Sequence, residues 1–415
     1  MGLGKTIQAI GVMNIHRPRS VLVVCPAFLK VNWQREIREW SVHPVVITIV
    51  SSREPPPIIE APLSSTFVFI INYDILYYHR QWIDNINWSL LIVDEAHYCK
   101  TPSSQRTIAV LGGKLRSRKR SVKHPRLSQI RAKQRVFLTG TPMLNRPSDL
   151  WPLVKSIDPK GLGLSFMSFM RRYCAMRRTP WGLDYSGASN LEELNQRLVP
   201  FMLRRLKADV LNELPPKRRQ VIVLPDEGSK ELLNDEMQTF ETYRTYLKEG
   251  QAKMGQVTFT ELSKHRRLVA LSKVPMVVTH LKECLTLGAV VCFAHHIDVV
   301  KSIAAGFKDR VVITGETSTD QRQRLIDRFQ NGEVNLIIGN ISAMGVGINL
   351  TRSQHVVFAE LDWTPAIMTQ AEDRCHRIGQ KGVVLIQHLV LANSLDAKMV
   401  RVLVKKQLII DRSLN

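Results

Sequence analysis

Short, unbroken apolar runs recur at both ends of the chain, separated by stretches with helical spacing. In the first third they cover residues 21–25, 45–50, 67–71, 90–93 and 135–139. In the last third they cover 290–294, 311–314, 336–339, 356–359 and 383–391. None alternates apolar with polar positions. Continuous runs of this length predict strands covered on both faces, as in a parallel sheet flanked by helices. Each set therefore reads as one α/β domain. From about residue 149 to 287 the pattern changes to helical periodicity, as in 191–198 and 232–247, broken by Pro215-Pro216 and Pro225. The expected organisation is a first lobe over 1–150, helical insertions and a linker over 151–287, and a second lobe over 288–415.

Composition narrows the classes. Hydrophobic residues make up 44% and charged residues 23% of the 415, which excludes a disordered or fibrous chain. The formal net charge of +22 favours a polyanionic partner, most simply nucleic acid. No apolar run approaches the ~18 residues that would span a bilayer, and the N-terminus has no signal-peptide core. The six cysteines are scattered without a CxxC pair, which fits a reducing intracellular compartment and core packing. Residues 112–135 hold ten Lys or Arg and no acid. They read either as a solvated, partly mobile insertion or as a phosphate-contacting arm.

Four strings carry chemistry. Gly2-Leu-Gly-Lys-Thr6 ahead of an amphipathic stretch matches the end of a phosphate-binding loop. Gly2 and Gly4 allow close backbone approach, Lys5 reaches phosphate oxygens and Thr6 ligates Mg²⁺. The five positions such a loop needs before Gly4 are not all present. Leu90-Leu-Ile-Val-Asp-Glu-Ala-His97 is a strand delivering two carboxylates at its carboxyl end. Asp94 can hold Mg²⁺ and Glu95 can position an attacking water. Leu138-Thr-Gly-Thr-Pro142 follows another strand and could relay the state of a γ-phosphate. Gln370-Ala-Glu-Asp-Arg-Cys-His-Arg-Ile-Gly-Gln380 puts Gln370, Arg374 and Arg377 on one face if it is helical, where arginines could stabilise a transferring phosphoryl group. Each string taken alone also fits an ordinary turn or a solvated helix face.

Together and in this order, the strings resemble the Swi2/Snf2 branch of superfamily 2 helicase-like ATPases over essentially the whole chain. Further matches are Val24-Cys-Pro26, Trp33-Gln34, Ile71-Asn-Tyr-Asp74, Phe293-Ala-His-His296, Gly345-Val-Gly-Ile-Asn-Leu350, Trp363-Thr-Pro365 and Leu214-Pro-Pro-Lys217. The Arg377-Ile-Gly-Gln380 ending is diagnostic of the branch. Tyr185-Ser-Gly-Ala-Ser189 and the Phe-Ala-His-His string resemble the annealing-helicase subgroup of HARP/SMARCAL1-like and ZRANB3-like fork remodellers. The resemblance implies two RecA-like lobes with ATP and Mg²⁺ between them. It implies phosphate binding by Lys5 and Thr6, magnesium and water activation by Asp94 and Glu95, nucleotide contact by Gln370, and arginine donors from Arg374 and Arg377. Arg377 is the favoured finger. The implied activity is ATP-driven translocation on duplex or fork DNA without sequence preference, with annealing or fork remodelling in repair. The implied location is intracellular and DNA-associated.

The sequence departs from the family pattern in two places. Family members carry a strand directly before the Gly-Leu-Gly-Lys-Thr string, in the middle of the sheet. An upstream strand or a complementing N-terminal polypeptide would supply it, and the chain alone is expected to hydrolyse ATP weakly or not at all. Met344 stands where the family more often has a small residue. Two alternatives stay open: a non-enzymatic DNA-binding fragment of a split Snf2 ATPase, and a strand-separating helicase.

Overall fold

A computed structural model describes residues 3–54, 56, 64–115, 126–140, 142–143, 146–180, 182–205, 207–211, 213–226, 228–249, 252–345 and 347–400. The chain forms two units: one of residues 4–175 and 185–202, the other of 1–3, 176–184 and 203–415.

The first unit is built on a five-stranded parallel sheet of β1 (Ser20–Cys25), β2 (Val45–Ile49), β3 (Thr66–Asn72), β4 (Trp88–Asp94) and β7 (Ala132–Leu138), in the order β2-β3-β1-β4-β7. All five runs predicted from the first third are strands. Both faces of this sheet are covered: Val21 and Val23 point into one core layer, Leu22 and Val24 into the other. The helix Lys5–His16 covers one face with Ala9, Ile10 and Met13. Because β1 pairs with β3 on one side and β4 on the other, the chain changes direction across the sheet there. In parallel sheets such a switch point opens a crevice at the carboxyl ends of the strands.

The basic stretch 112–135 is not one loop. It starts as β5 (Gly113–Lys114), pairs antiparallel with β6 (Arg126–Leu127), and its last residues belong to β7, where Lys133 and Arg135 are exposed. Residues 116–125, with five of its ten cations, lie outside the described residues.

In the second unit a hairpin of β8 (Arg177–Thr179) and β9 (Gly182–Asp184) accompanies a six-stranded sheet. That sheet comprises β10 (Lys217–Leu224), β11 (Val290–Ala294), β12 (Val311–Ile313), β13 (Leu336–Asn340), β14 (His355–Phe358) and β15 (Val384–Leu391). It is parallel throughout, in the order β10-β15-β14-β11-β13-β12. The five runs predicted in the last third are all present. β10 is an addition, an edge strand within the stretch expected to be helix and linker. The rest of that stretch is mostly helical, with Lys230–Lys248 and Ala252–Ser272 packed along each other and Val274–Leu287 following. No described helix is long and apolar enough to cross a membrane.

A buried ionic cluster ties those helices to the sheet. Asp396, just past β15, accepts from the Lys273 ammonium at 3.1 Å and from Arg266 at 3.3 Å. Lys273 is 1% exposed. Arg266 also donates to the Leu361 carbonyl at 2.9 Å, and its guanidinium lies 5.1 Å from the centre of the Trp363 ring. Glu236 accepts the Leu395 amide at 2.8 Å, and burial pushes its carboxyl up to about 7. All six cysteines are unpaired and buried. Burial raises the thiol pKa of each, to about 12 for Cys99, Cys174 and Cys292.

Two stability measurements follow from this cluster. Asp396→Ala leaves two buried cations facing each other without their carboxylate and should cost about 3–5 kcal/mol in urea unfolding. Breaking the exposed Lys301–Glu316 pair by Glu316→Ala should barely move the midpoint. Glu236 binds its proton more tightly folded than unfolded. The native state therefore loses stability as pH rises from about 4.5 to about 7, by up to ~3 kcal/mol. Glu236→Gln should abolish that part of the pH dependence of Tm; an unchanged slope would show that Glu236 does not carry it.

Candidate functional site

In the first unit the predicted site residues gather at the carboxyl edge of the sheet. Gly4 has φ +69°, in the left-handed region, and space around its Cβ position is open. Any L side chain there would be strained. Lys5 and Thr6 follow as the first residues of the helix Lys5–His16, which has no side-chain cap. Its leading N–H groups are the donors that suit a phosphate. Gly2 lies outside the described residues.

β4 ends at Asp94, and Glu95 turns the chain with φ 50°, ψ 49°. A left-handed glutamate is unusual and costs on the order of 1 kcal/mol. It lets the chain leave the sheet at once, keeping both carboxylates at the strand end. Trp33 donates to Asp94 Oδ2 at 2.9 Å, the Glu95 amide donates to Oδ1 at 2.9 Å, and the Tyr73 hydroxyl donates to the Asp94 carbonyl at 2.6 Å. Burial, then the Glu95 charge, push the Asp94 carboxyl up to about 6, while Trp33 and the Lys5 ammonium pull against that rise. The Lys5 charge is thus felt at Asp94. His97 Nδ1 lies 3.2 Å from Glu95 Oε2 and 3.1 Å from Thr139 Oγ1. Thr139, in the stretch after β7, and Glu95 thus both lie within reach of one imidazole nitrogen; Thr141 is outside the described residues.

The donor set fits Mg²⁺. Among the described residues no cluster of three His, Cys, Asp or Glu could hold a metal by itself. Magnesium ordinarily takes one or two protein oxygens and completes its shell with water and phosphate. One buried carboxylate, Asp94, with the Thr6 hydroxyl at the head of the helix matches that requirement.

In the second unit Gln370 is buried on the helix Pro365–Glu372. The regular helix stops at Glu372, so Arg374 and Arg377 sit in the turn beyond it and not on a continuation of that helix. Tertiary bonds shape that turn. Arg374 Nε donates to the Gln370 carbonyl at 3.2 Å, the Leu350 amide donates to the Arg374 carbonyl at 2.9 Å, and Arg377 donates to the Ile348 carbonyl at 3.3 Å. Gln380 Nε2 is within 3.0 Å of the carbonyls of Thr351, Ser353 and Cys375, and its Oε1 accepts the amides of Lys381 and Gly382. This accounts physically for the Arg-Ile-Gly-Gln ending. Met344 is buried against Gly339, whose Cβ position would collide with its sulfur at 2.6 Å. Nearby, Glu360 accepts the backbone amides of His295 and His296 at 2.8 and 2.9 Å and reaches His296 Nδ1 at 2.7 Å.

Sequence reasoning did not assign Trp33, Tyr73 or His97 a role at Asp94 and Glu95. Their signal lay in the Trp33-Gln34, Asn72-Tyr73-Asp74 and Asp94-Glu-Ala-His97 strings, all of which lead to this strand edge.

Residues 1–122 and 112–284 match the SNF2-related domain, and 273–379 match the helicase conserved C-terminal domain. The DNA annealing helicase and endonuclease ZRANB3 of Bos taurus is 32% identical over 437 residues, covering 100% of this chain and 38% of that protein. The SWI/SNF-related matrix-associated actin-dependent regulator of chromatin subfamily A-like protein 1 of Xenopus tropicalis is 33% identical over 410 residues, covering 95% and 40%. The chain thus spans about two fifths of the length of these relatives. The solved Sulfolobus solfataricus SWI2/SNF2 ATPase core in complex with dsDNA is 23% identical, with TM-score 0.42, over 99% of this chain and 86% of that one.

The indole N–H of Trp33 bonds directly to the Asp94 carboxylate and reports its charge. Its NMR signal, identified by loss in Trp33→Phe, should titrate with a midpoint near pH 6. Lys5→Met removes a nearby cation and should move that midpoint upward; a downward shift would show that Lys5 does not act on Asp94.

Proposed function

We propose that this chain, which belongs to the SNF2-related family of helicase-like ATPases, hydrolyses ATP to move along duplex DNA. Residues 1–150 would be its RecA-like ATP-binding lobe, 288–415 its C-terminal lobe, and 151–287 the insertions and linker. What carries this reading is the carboxylate pair Asp94–Glu95 at the end of β4, with the Lys5 charge felt at Asp94.

The roles follow from the chemistry of each group. Gly4 gives the backbone room to approach a phosphate, and the head of the helix Lys5–His16 offers it N–H donors. Lys5 holds terminal phosphate oxygens. Thr6 and Asp94 hold Mg²⁺, which when bound neutralises phosphate charge. Glu95 orients the attacking water and accepts its proton, with His97 Nδ1 beside its carboxylate and Thr139 within hydrogen-bond distance of that imidazole. Gln370 contacts nucleotide, and Arg374 and Arg377 offset the charge that develops on the transferring phosphoryl group.

The excess of 22 positive charges suits a polyphosphate track read without regard to sequence. The name of the ZRANB3 relative, a DNA annealing helicase and endonuclease, points to annealing, and that of the subfamily A-like relative to work on chromatin.

The test is ATP hydrolysis by residues 1–415 with no DNA, with duplex and with fork DNA. Hydrolysis should rise with DNA and fall at least ~100-fold in Glu95→Gln, as expected when a water-activating group is removed. Absent hydrolysis with salt-sensitive DNA binding intact would favour the DNA-binding fragment, and recovery on adding an N-terminal polypeptide would then locate the missing part. Unwinding of a tailed duplex would favour the strand-separating helicase.

A further inference from the structure

The turn that carries Arg374 and Arg377 begins with two adjacent acids in an unfavourable place. Glu372 and Asp373 close the helix Pro365–Glu372, at the negative end of its dipole, next to each other and almost fully buried, at 1% and 6% exposed. Burial, like charge and the helix dipole all oppose ionisation there. Cations from a single sequence segment answer them. Lys217 Nζ donates to Glu372 at 2.8 Å and to Asp373 at 3.3 Å. Arg219 grips Glu372 with two donors, at 2.8 and 2.6 Å. Lys207 reaches Asp373 at 2.9 Å and also donates to the His376 carbonyl. His376 Nε2 lies 2.8 Å from the Pro215 carbonyl. Burial alone would raise the Glu372 carboxyl, yet Lys217 and Arg219 hold it below its ordinary range.

The geometry of the segment accounts for this reach. Lys217 and Arg219 are two apart on β10, so both side chains leave the same face of that strand. β10 pairs in register with β15, Lys217 opposite Val384 and Arg219 opposite Ile386. The pairing fixes where the two cations stand.

We propose that Lys207, Lys217 and Arg219 are positioning residues that clamp Glu372 and Asp373 and thereby set the turn carrying Arg374 and Arg377. The role assigned to those arginines rests on the function proposed above; the clamp itself does not. If the clamp opens, two buried carboxylates lose their partners and turn toward water. The turn then loses the shape that points the guanidinium groups, while Gln370 and the sheet stay in place.

Hydrogen–deuterium exchange tests the clamp and kinetics test its purpose, using the whole chain. In Arg219→Gln and Lys217→Met, amides of residues 373–380 should exchange at least tenfold faster, with β11 and β13 unchanged. Arg219→Lys should restore most of the protection. Exchange within twofold of the unsubstituted chain in both variants would overturn the proposal. Should Lys217→Met fail to fold, Arg219→Gln carries the test, since that side chain is half exposed. In the ATPase assay both variants should lower kcat about tenfold with KM for ATP unchanged. Arg377→Ala separates the two ideas. If it leaves kcat intact, the arginine assignment fails while the exchange result still judges the clamp. If it abolishes hydrolysis while the clamp variants keep full kcat, the clamp has no positioning role and the proposal falls.

Discussion

A parallel sheet covered on both faces can keep its polar chemistry only along its strand ends. Strands such as β1, β4, β11 and β13 are apolar where they cross the core, and their side chains alternate between two layers that both exclude water. Charged groups therefore appear where strands finish: Asp94 after Val93, Glu360 two residues past β14, Asp396 five past β15. The candidate chemistry at the end of β4 is a consequence of that constraint.

Placing carboxylates at those edges buries them, and each is held by a different device. Asp94 has an indole and a backbone amide, and remains high in pKa because burial, and then the like charge of Glu95 beside it, disfavour its ionised form. Glu360 is wrapped by two backbone amides and an imidazole. Asp396 and Glu372 each meet two cations from distant sequence, and both stay ionised. The contrast has a use. A carboxylate surrounded by cations is fixed in place, whereas Asp94, with neutral donors and one lysine charge, keeps the capacity to take a metal.

The strands were legible because ten runs are continuous and apolar, a pattern that survives any tertiary context. β10 was not. It is an edge strand with one covered side, so Lys217-Arg-Arg-Gln220 looks like a polar linker between prolines, and its strand character comes from pairing with β15. The placement of Asp94 and Glu95 at a strand end was legible from the apolar run that leads to them. The arginine turn was misjudged in shape, since Gln370–Arg377 has helical periodicity and neither Gly nor Pro to stop it. Its end is imposed by partners from 207–219 and 348–350, and no local pattern carries that information.

The six cysteines have a practical consequence. Each is buried and each thiol is held protonated at neutral pH, so maleimides and similar reagents find neither access nor thiolate. A cysteine introduced on the surface would be the one reactive thiol in the folded chain. Fluorophores or spin labels can then be attached at chosen sites, one per lobe, without first stripping out the native sulfurs that pack the interior.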